Sequence, residues 1–254
     1  MQKFRFTLAL LAVCALPMAA AQPHDAPHAP HWSYAGTESP AHWGELSSEY
    51  AQCSAGKNQS PVDLSRAVAT AERSVAFHYQ PARYRVENNG HALQATPEGG
   101  GQFVRIGGES FALKQFHFHT PSEHTFKGRH FPLEAHFVHQ STQGALAVVA
   151  VVFDAGTANP ALKPLLAKKL KPGQSVQLPH ELDISNLFPA DTAHFRLNGS
   201  LTTPPCSEGV NWVVMEAPVA AAAAQLKAAA AIIGHPNNRP VQPLNARIVI
   251  EETQ

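Results

Sequence analysis

The chain has 254 residues, and its 19 basic residues balance its 19 acidic ones. This balance, without any basic stripe or block, argues against nucleic acid or an anionic membrane as a partner and favours small neutral or singly charged ligands. After the N-terminus, no segment is long and apolar enough to predict a membrane span.

The N-terminus predicts an export signal. Residues 1–21 begin with two basic side chains, continue as an apolar run and end in three alanines, the pattern of a cleaved signal peptide. Cys14 would suit a lipid anchor instead, but the small residue that usually precedes such a cysteine is missing. Residues 22–30 are rich in Pro, His and Ala and predict a disordered lead-in. Residues 31–254 remain for one large domain, which we expect to be periplasmic or secreted.

Strand patterns dominate the rest of the chain. Residues 146–153 are continuously apolar, which predicts a central strand buried on both faces. An alanine-rich run at 219–234, stopped by Gly234, predicts the main helix, and residues 159–170 predict a shorter one. These patterns predict a mainly β, antiparallel fold with a few covering helices. The short apolar or alternating runs that predict strands are 74–79, 83–96, 101–119, 132–140, 146–154 and 246–252.

Removing the signal peptide leaves two cysteines, Cys53 and Cys206. In an exported chain we expect them to be paired, with two separate buried thiols as the alternative. The loop that such a bridge closes is long, so the chain-entropy treatment gives up to about 5 kcal/mol of stabilisation.

Residues 115–119, "QFHFH", alternate polar and aromatic side chains. On a strand, Phe116 and Phe118 would enter a core, while Gln115, His117 and His119 would share the opposite face. Two imidazoles so close on one rigid strand predict joint binding of a metal ion, although a chance pairing is the alternative in a chain with 15 histidines.

A second strand pattern, residues 132–140, places Glu134 and His136 on one face. If it pairs with the first strand, His136 joins the other two histidines. Three imidazole nitrogens with a fourth position open form a catalytic zinc site. Gln115 and Glu134 each lie two residues before a histidine on its own face, where they are expected to accept its second N–H.

A rival metal pattern uses part of the same stretch. His117, His119 and Glu123 fit H-x-H-x3-E, the pattern of cupin barrels, in which the glutamate is itself a ligand of iron or manganese. The second cupin motif is missing downstream, which disfavours this interpretation. Other histidines are given no ligand role and are interpreted as surface or hydrogen-bonded core rings: His42, His78, His124, His130, His139, His180, His194 and His235.

At this point the chain resembles the alpha-class carbonic anhydrases, of the exported bacterial type. The resemblance implies a single domain around a large, twisted, mostly antiparallel central β-sheet of about ten strands, with a few short peripheral helices. It covers nearly the whole mature chain. The segments that carry it are "NQSPVDL" (58–64), "NNGHALQ" (88–94), "QFHFHTPSEHT" (115–125), "EAHFVH" (134–139), "LAVVAVVF" (146–153), "GSLTTPPCSEGVNW" (199–212) and "NNRPVQPLNAR" (237–247).

The resemblance implies zinc-dependent, reversible hydration of carbon dioxide to bicarbonate and a proton. His117, His119 and His136 would hold one Zn²⁺ per chain, with water or hydroxide as the fourth ligand. Thr202 would accept a hydrogen bond from that hydroxide and donate one to Glu123, which makes Glu123 an orienting residue and not a ligand. The implied pocket has an apolar wall of Val138, Val148, Leu201 and Trp212, with Thr203 for bicarbonate and Asn89 and Gln94 on the hydrophilic side.

His91, in "NNGHAL", stands at the family's proton-shuttle position, although a histidine after Asn-Asn-Gly also fits an exposed turn. Cys53 and Cys206 match the disulfide of exported members, and Leu197 stands where the family usually has a tyrosine. That departure is expected to disturb the hydrogen bonds that steady His124, with an effect on stability or rate.

Members of this family that have lost a zinc histidine keep the fold as non-catalytic binding modules. This chain retains all three histidines, which favours an enzyme, with incidental esterase activity. A homodimer is expected only by analogy with exported bacterial relatives.

Overall fold

Strands dominate the fold. The computed structural model describes residues 30–72 and 74–253, so the predicted signal peptide, Cys14 and nearly all of the predicted lead-in lie outside the described residues. Within that part, the structure contains 13 strands: β1 Val68–Thr70, β2 Val75–His78, β3 Arg83–Asn88, β4 Leu93–Glu98, β5 Phe103–Ile106, β6 Glu109–His119, β7 Leu133–Gln140, β8 Leu146–Ala155, β9 Ser175–Gln177, β10 His194–Ser200, β11 Glu208–Met215, β12 Val219–Ala221 and β13 Ile250–Glu252.

The helices are few and short, as expected. The α-helices of the described chain are α1 Trp43–Leu46, α2 Gln52–Ala55, α3 Leu162–Leu165 and α4 Ala223–Ile233, and the 3-10 helices are Gly36–Glu38, Ser48–Tyr50 and Ile184–Leu187. Within residues 30–72 and 74–253, no helix has the length and hydropathy that crossing a bilayer requires.

All strands join one sheet, in the order β1-β13-β10-β11-β8-β7-β6-β4-β3-β9, with β12 beside β8, β5 beside β6, and β2 beside β5. Most neighbours are antiparallel, while β1–β13, β8–β11 and β8–β12 are parallel. The apolar run at 146–153 forms most of β8 in the interior of the sheet, and its residues 147–153 are buried. The predicted central strand is therefore confirmed.

The predicted helix at 219–234 begins later than expected. Its first residues, Val219–Ala221, form β12 instead, with a strand-like alternation of burial, and pair in parallel with the end of β8. Packing on the sheet thus overrides the helix propensity of alanine there. The helix proper, Ala223–Ile233, ends as predicted at Gly234, whose φ of 87° is the left-handed conformation that glycine adopts most readily.

Two other predicted elements are shorter in the structure. Residues 159–170 form a single helical turn, Leu162–Leu165, because prolines within the segment lack the N–H that a longer helix needs. Residues 246–252 contribute only Ile250–Glu252 to the sheet.

The two faces of β6 and β7 differ completely. Phe116, Phe118 and Phe137 enter the main hydrophobic core, with at most 1% of each exposed. The opposite face carries His117, His119 and His136. The core that fixes this orientation also includes Leu226 and Ile233 from α4.

Cys53, in α2, and Cys206 form the predicted disulfide, with their Cα atoms 5.0 Å apart. The bridge joins segments 153 residues apart in sequence and fixes the loop that follows Thr203. It indicates an oxidising compartment.

Candidate active site

Pairing of β6 with β7 brings the three predicted histidines together. His117 lies directly opposite His136, and His119 lies two residues further along β6. The ring centroids are 5.0, 5.5 and 4.5 Å apart for the pairs 117–119, 117–136 and 119–136. One nitrogen from each ring lies within 4.8 Å of the others. The expected convergence is present.

Each of these rings is fixed through its other nitrogen. The Nδ1 of His117 lies 2.8 Å from Gln115 Oε1, and the Nε2 of His136 lies 2.8 Å from Glu134 Oε1, the two partners expected from the sequence. The Nδ1 of His119 bonds the backbone carbonyl of Asn237 at 2.7 Å. Sequence reasoning missed that third partner, because it comes from a loop 118 residues away along the chain.

The remaining nitrogens fit a zinc ion. Burial, together with repulsion from His119 and His136, holds the pKa of His117 well below its usual value, so the ring is neutral and able to donate a lone pair at neutral pH. The Nε2 of His119 is buried and has no hydrogen-bond partner among the described residues, a costly arrangement that a cation would relieve. Three imidazoles without a cysteine are the donor set of catalytic zinc.

Glu134 organises the site beneath His136. One oxygen accepts from His136 and from His124 Nδ1, at 2.8 and 2.7 Å. The other oxygen accepts from the backbone N–H groups of Glu123 and His124, at 2.6 and 2.9 Å. Burial alone would raise the pKa of Glu134, but His124 and His136 outweigh it and hold the pKa well below its usual value.

The sequence model of the eukaryotic-type carbonic anhydrase family matches residues 38–253. The chain belongs to the carbonic anhydrase family. A carbonic anhydrase of Neisseria gonorrhoeae is 43% identical over 247 residues, which cover 97% of this chain and 96% of that one. A carbonic anhydrase of Klebsiella pneumoniae is 42% identical and covers 96% and 97% of the two chains.

Solved structures agree with this assignment. The alpha-carbonic anhydrase of Thermovibrio ammonificans, in complex with the inhibitor sulfanilamide, has a TM-score of 0.84 at 45% identity and covers 88% of this chain and 100% of that one. Dioscorin, complexed with ascorbate, has a TM-score of 0.83 at 31% identity, covering 88% and 98% of the two chains. The identities and coverage among the carbonic anhydrases make this chain an enzyme of the family.

Glu123 is fully buried beside His119 and His136 in this carbonic anhydrase site. Its Oε1 accepts from the backbone N–H of Arg239 at 2.7 Å and lies 3.6 Å from His119 Nδ1, the nitrogen already bonded to the Asn237 carbonyl. Glu123 is not one of the residues whose ligand atoms lie close enough to share a metal ion with His117 and His119. This placement favours an orienting role over the ligand role of the cupin pattern.

The expected hydrogen bond from Thr202 to Glu123 is not formed. Thr202 is buried, but Oε2 of Glu123 has no hydrogen-bond partner within the described chain. The carboxylate is held by Arg239 and faces His136 Nδ1 at 3.8 Å. Arg239 was missed by sequence reasoning. It is itself buried, and its guanidinium donates to the Cys53 carbonyl at 2.8 Å, so the carboxylate and the disulfide are braced together.

The expected apolar wall follows one row across the sheet. Val138 lies opposite Val148, which lies opposite Trp212, on the same face as His136. Leu201 packs against the same apolar cluster. The row starts at Gln115, the partner of Val138 in β6, so the apolar wall lies immediately beside the imidazoles.

The expected hydrophilic side lines a cavity of about 140 Å³ in front of His117 and His119. Asn89 also caps the turn that carries the proposed shuttle, since its Oδ1 accepts from the N–H groups of His91 and Ala92, at 3.0 and 2.8 Å. Further residues around this cavity are Trp32, Tyr34, His91, Gln94, Gln115 and Thr203.

Two aromatic residues at this cavity were not predicted. Burial and the negative charge of Glu123 raise the pKa of Tyr34 well above its usual value, so its hydroxyl stays protonated near that carboxylate. The indole of Trp32 stacks on His91 at 3.9 Å between centroids. Both lie just after the predicted lead-in, in a segment without a strand or helix pattern.

Leu197 lies near His124 through Trp212, and its expected effect on stability or rate stays a prediction. His124 is steadied by Glu134, but its Nε2 is buried without a hydrogen-bond partner among the described residues. Leu197 lies opposite Trp212, whose ring centroid is 4.8 Å from that of His124. The side chain at position 197 offers no hydroxyl in this neighbourhood.

Proposed function

We propose that the chain catalyses the zinc-dependent, reversible hydration of carbon dioxide to bicarbonate and a proton, in the periplasm or outside the cell. The observation that carries this proposal is the set of three imidazoles, each fixed through one nitrogen and open through the other. The disulfide and the sequence pattern of residues 1–21 support an exported location.

His117, His119 and His136 are proposed to hold one Zn²⁺. Zinc, when bound, lowers the pKa of a water ligand to about 7, the value known for carbonic anhydrases, and so supplies a nucleophile at neutral pH. Each ring bonds an oxygen through its other nitrogen, from Gln115, Glu134 or the carbonyl of residue 237. These hydrogen bonds fix the orientations of the rings and raise the basicity of the imidazoles.

Thr202 is proposed to orient the attacking oxygen through its hydroxyl. Oε2 of Glu123 is the carboxylate oxygen available to accept from Thr202, since the Arg239 amide holds the other. With its own proton donated to Glu123, the Thr202 hydroxyl would accept a hydrogen bond from the attacking hydroxide and so direct a lone pair of that oxygen at the substrate carbon.

Val138, Val148, Leu201 and Trp212 are proposed to hold carbon dioxide, which is apolar and needs a water-free wall beside the nucleophile. Their placement in one apolar cluster next to His136 supports this role. On the polar side, Thr203 is proposed to contact bicarbonate, with Asn89 and Gln94 lining its path.

His91 is proposed to carry the released proton out of the site. It is half-buried and lines the same cavity as His117 and His119. Burial, followed by repulsion from His31 and His235, lowers the pKa of His91, which makes it a ready proton donor toward solvent.

Stopped-flow measurement of carbon dioxide hydration tests this function. We expect the zinc-loaded protein to be active, to lose activity with a chelator and to regain it on addition of zinc. A zinc-loaded protein without hydration activity would contradict the proposal and favour a non-catalytic binding module.

A further inference from the structure

Strand β1 lies at one end of the sheet, and its outer side is exposed. Within the described chain it is the first strand in the sheet order and pairs with β13 alone. Val68 is 62% exposed, and Ala69 is exposed as well. Ile248 and Ile250, beside them, are 67% and 41% exposed. Three of the four exposed large apolar side chains among the described residues therefore lie at this edge.

A groove of about 630 Å³ lies beside β1. Val68, Ile248 and Ile250 form apolar parts of its wall, and Thr70 and Glu72 belong to its polar parts. Val68, Thr70 and Glu72 are alternate residues, so they share one face of an extended segment. Exposed apolar surface with a polar rim is typical of a protein interaction site.

The backbone of β1 has hydrogen-bonding groups that β13 does not use. The N–H of Val68 donates to the Val249 carbonyl at 2.9 Å, and the N–H of Thr253 donates to the Thr70 carbonyl at 3.2 Å. In a parallel ladder, alternate residues of a strand bond the same neighbour, so the N–H and C=O of Ala69 point to the open side. Such groups are a template for pairing with another strand.

This edge lacks the usual protection against strand pairing. Natural edge strands are commonly guarded by proline, by lysine or by a β-bulge. Residues 66–72, "RAVATAE", which we call the edge segment, contain neither proline nor lysine, and the register of β1 with β13 is regular. By contrast, β9 at the other end of the sheet order lies between Pro172 and Pro179.

The edge segment is complementary to itself when two copies run antiparallel. When Ala69 of one copy lies opposite Ala69 of the other, Arg66 lies opposite Glu72, and both are exposed. Val68 then lies opposite Thr70, and the two Ala69 residues exchange their N–H and C=O groups in a hydrogen-bonded pair. Opposite charges across a strand pair stabilise it. A shift of two residues in either direction would separate these charges, so the charges select one register.

We propose that this edge is a homodimer interface, in which the β1 strands of two copies pair antiparallel about a twofold axis at Ala69. Two Arg66–Glu72 ion pairs between the copies fix the register, and the second copy covers Val68. The contact uses the same surface of both chains, so it closes at two chains. Four strands separate β1 from β7 in the sheet order, so the dimer leaves the site histidines uncovered.

Sedimentation velocity of the purified protein over about 1–200 µM tests the interface. We expect a monomer–dimer equilibrium without larger species. Ala69→Pro should weaken dimerisation by at least about tenfold, because proline removes the outward N–H but none of the bonds to β13. Circular dichroism checks that this variant is folded.

A charge exchange gives the sharper test. Arg66→Glu alone and Glu72→Arg alone place like charges opposite each other in both ion pairs, so each should weaken dimerisation by about tenfold. The variant with both substitutions restores opposite charges in the same register and should recover the wild-type dissociation constant within about threefold. The matched control is Lys168→Glu, which reverses an exposed charge outside the groove and should leave association unchanged.

A protein that stays monomeric over this range would overturn the proposal, as would a dimer that Ala69→Pro leaves intact. Loss of association in both single variants without recovery in the double variant would contradict the register and overturn this interface. Species larger than a dimer would overturn the twofold closure and indicate that the edge recruits chains through a different contact.

Discussion

One face of β6 and β7 packs into the hydrophobic core, and the other presents the histidines of the site. On the core face, Phe116 and Phe137 stack at 5.0 Å between centroids and are fully buried. On the site face, His117 and His136 face each other across the same strand pair, and each bonds a neighbouring side chain through one nitrogen. The core face packs its aromatic rings within the fold, whereas the site face presents ring nitrogens that could bind a metal ion. The contrast separates the residues that fold the chain from those that do its chemistry.

The largest expected effect is the loss of one site-face imidazole. His117→Ala should abolish carbon dioxide hydration and weaken zinc binding together, because two histidines cannot replace the three-nitrogen donor set. The free energy of unfolding of the metal-free protein should change little, since the ring is not part of the core. Stopped-flow hydration, zinc titration and urea unfolding check the three statements. Near-full activity would refute the ligand assignment.

A core-face substitution directly after His136 should give the reverse result. Phe137→Ala is expected to lower the free energy of unfolding by about 3–5 kcal/mol, through lost burial and a cavity. The folded fraction should keep its zinc affinity, as measured by metal titration beside urea unfolding. A variant that loses zinc without losing stability would break the division between the faces.

Glu134 contributes both to zinc binding and to the stability of the fold, so Glu134→Gln should affect zinc affinity and the free energy of unfolding. Loss of its charge is expected to weaken zinc binding by about 10- to 100-fold. Because its folded pKa lies well below the usual value, the carboxylate stabilises the protein above about pH 4.3, the unfolded value.

That contribution is lost as the pH falls through the folded pKa. Metal-free wild type should therefore be more stable than Glu134→Gln at neutral pH, with a gap that narrows in acid. Urea unfolding at several pH values measures the gap, and a gap that widens in acid would contradict this role.

A smaller effect is expected at the edge of the site. His91→Ala should slow turnover at low buffer on the order of tenfold, because protons then leave without an imidazole carrier. Added imidazole should restore the rate in stopped-flow assays. If imidazole has no effect, another group carries the proton.

The smallest change concerns the unpartnered Nε2 of His124. Leu197→Tyr brings a hydroxyl into the neighbourhood of Trp212 and His124 and is expected to add about 1 kcal/mol to the free energy of unfolding. Leu197→Phe is the control, since it adds the ring without the hydroxyl. Equal stability of the two variants, by urea unfolding, would show that no new hydrogen bond forms.

Local pattern predicted the elements that carry the site. Alternation in 115–119 and 132–140 was enough to place three histidines on one face, and continuous apolarity identified β8. Strands β10 and β11 were not predicted, because Gly199, Gly209 and neighbouring polar residues interrupt their apolar patterns.

The missed site residues have a common cause. Asn237, Arg239, Trp32 and Tyr34 reach the site from loops, where no periodicity marks them. Their roles depend on contacts across more than 50 residues of chain, such as Asn237 with His119 and Trp32 with His91. Such contacts follow from the folded topology and not from local sequence, so only the structure identifies them.

X-ray absorption at the zinc edge of the zinc-loaded protein tests the central claim most directly. The account predicts one zinc ion per chain with three imidazole nitrogens at about 2.0–2.1 Å and one oxygen donor from solvent. A zinc ion bound by fewer than three imidazoles, or one whose fourth position is closed by a protein side chain, would contradict it.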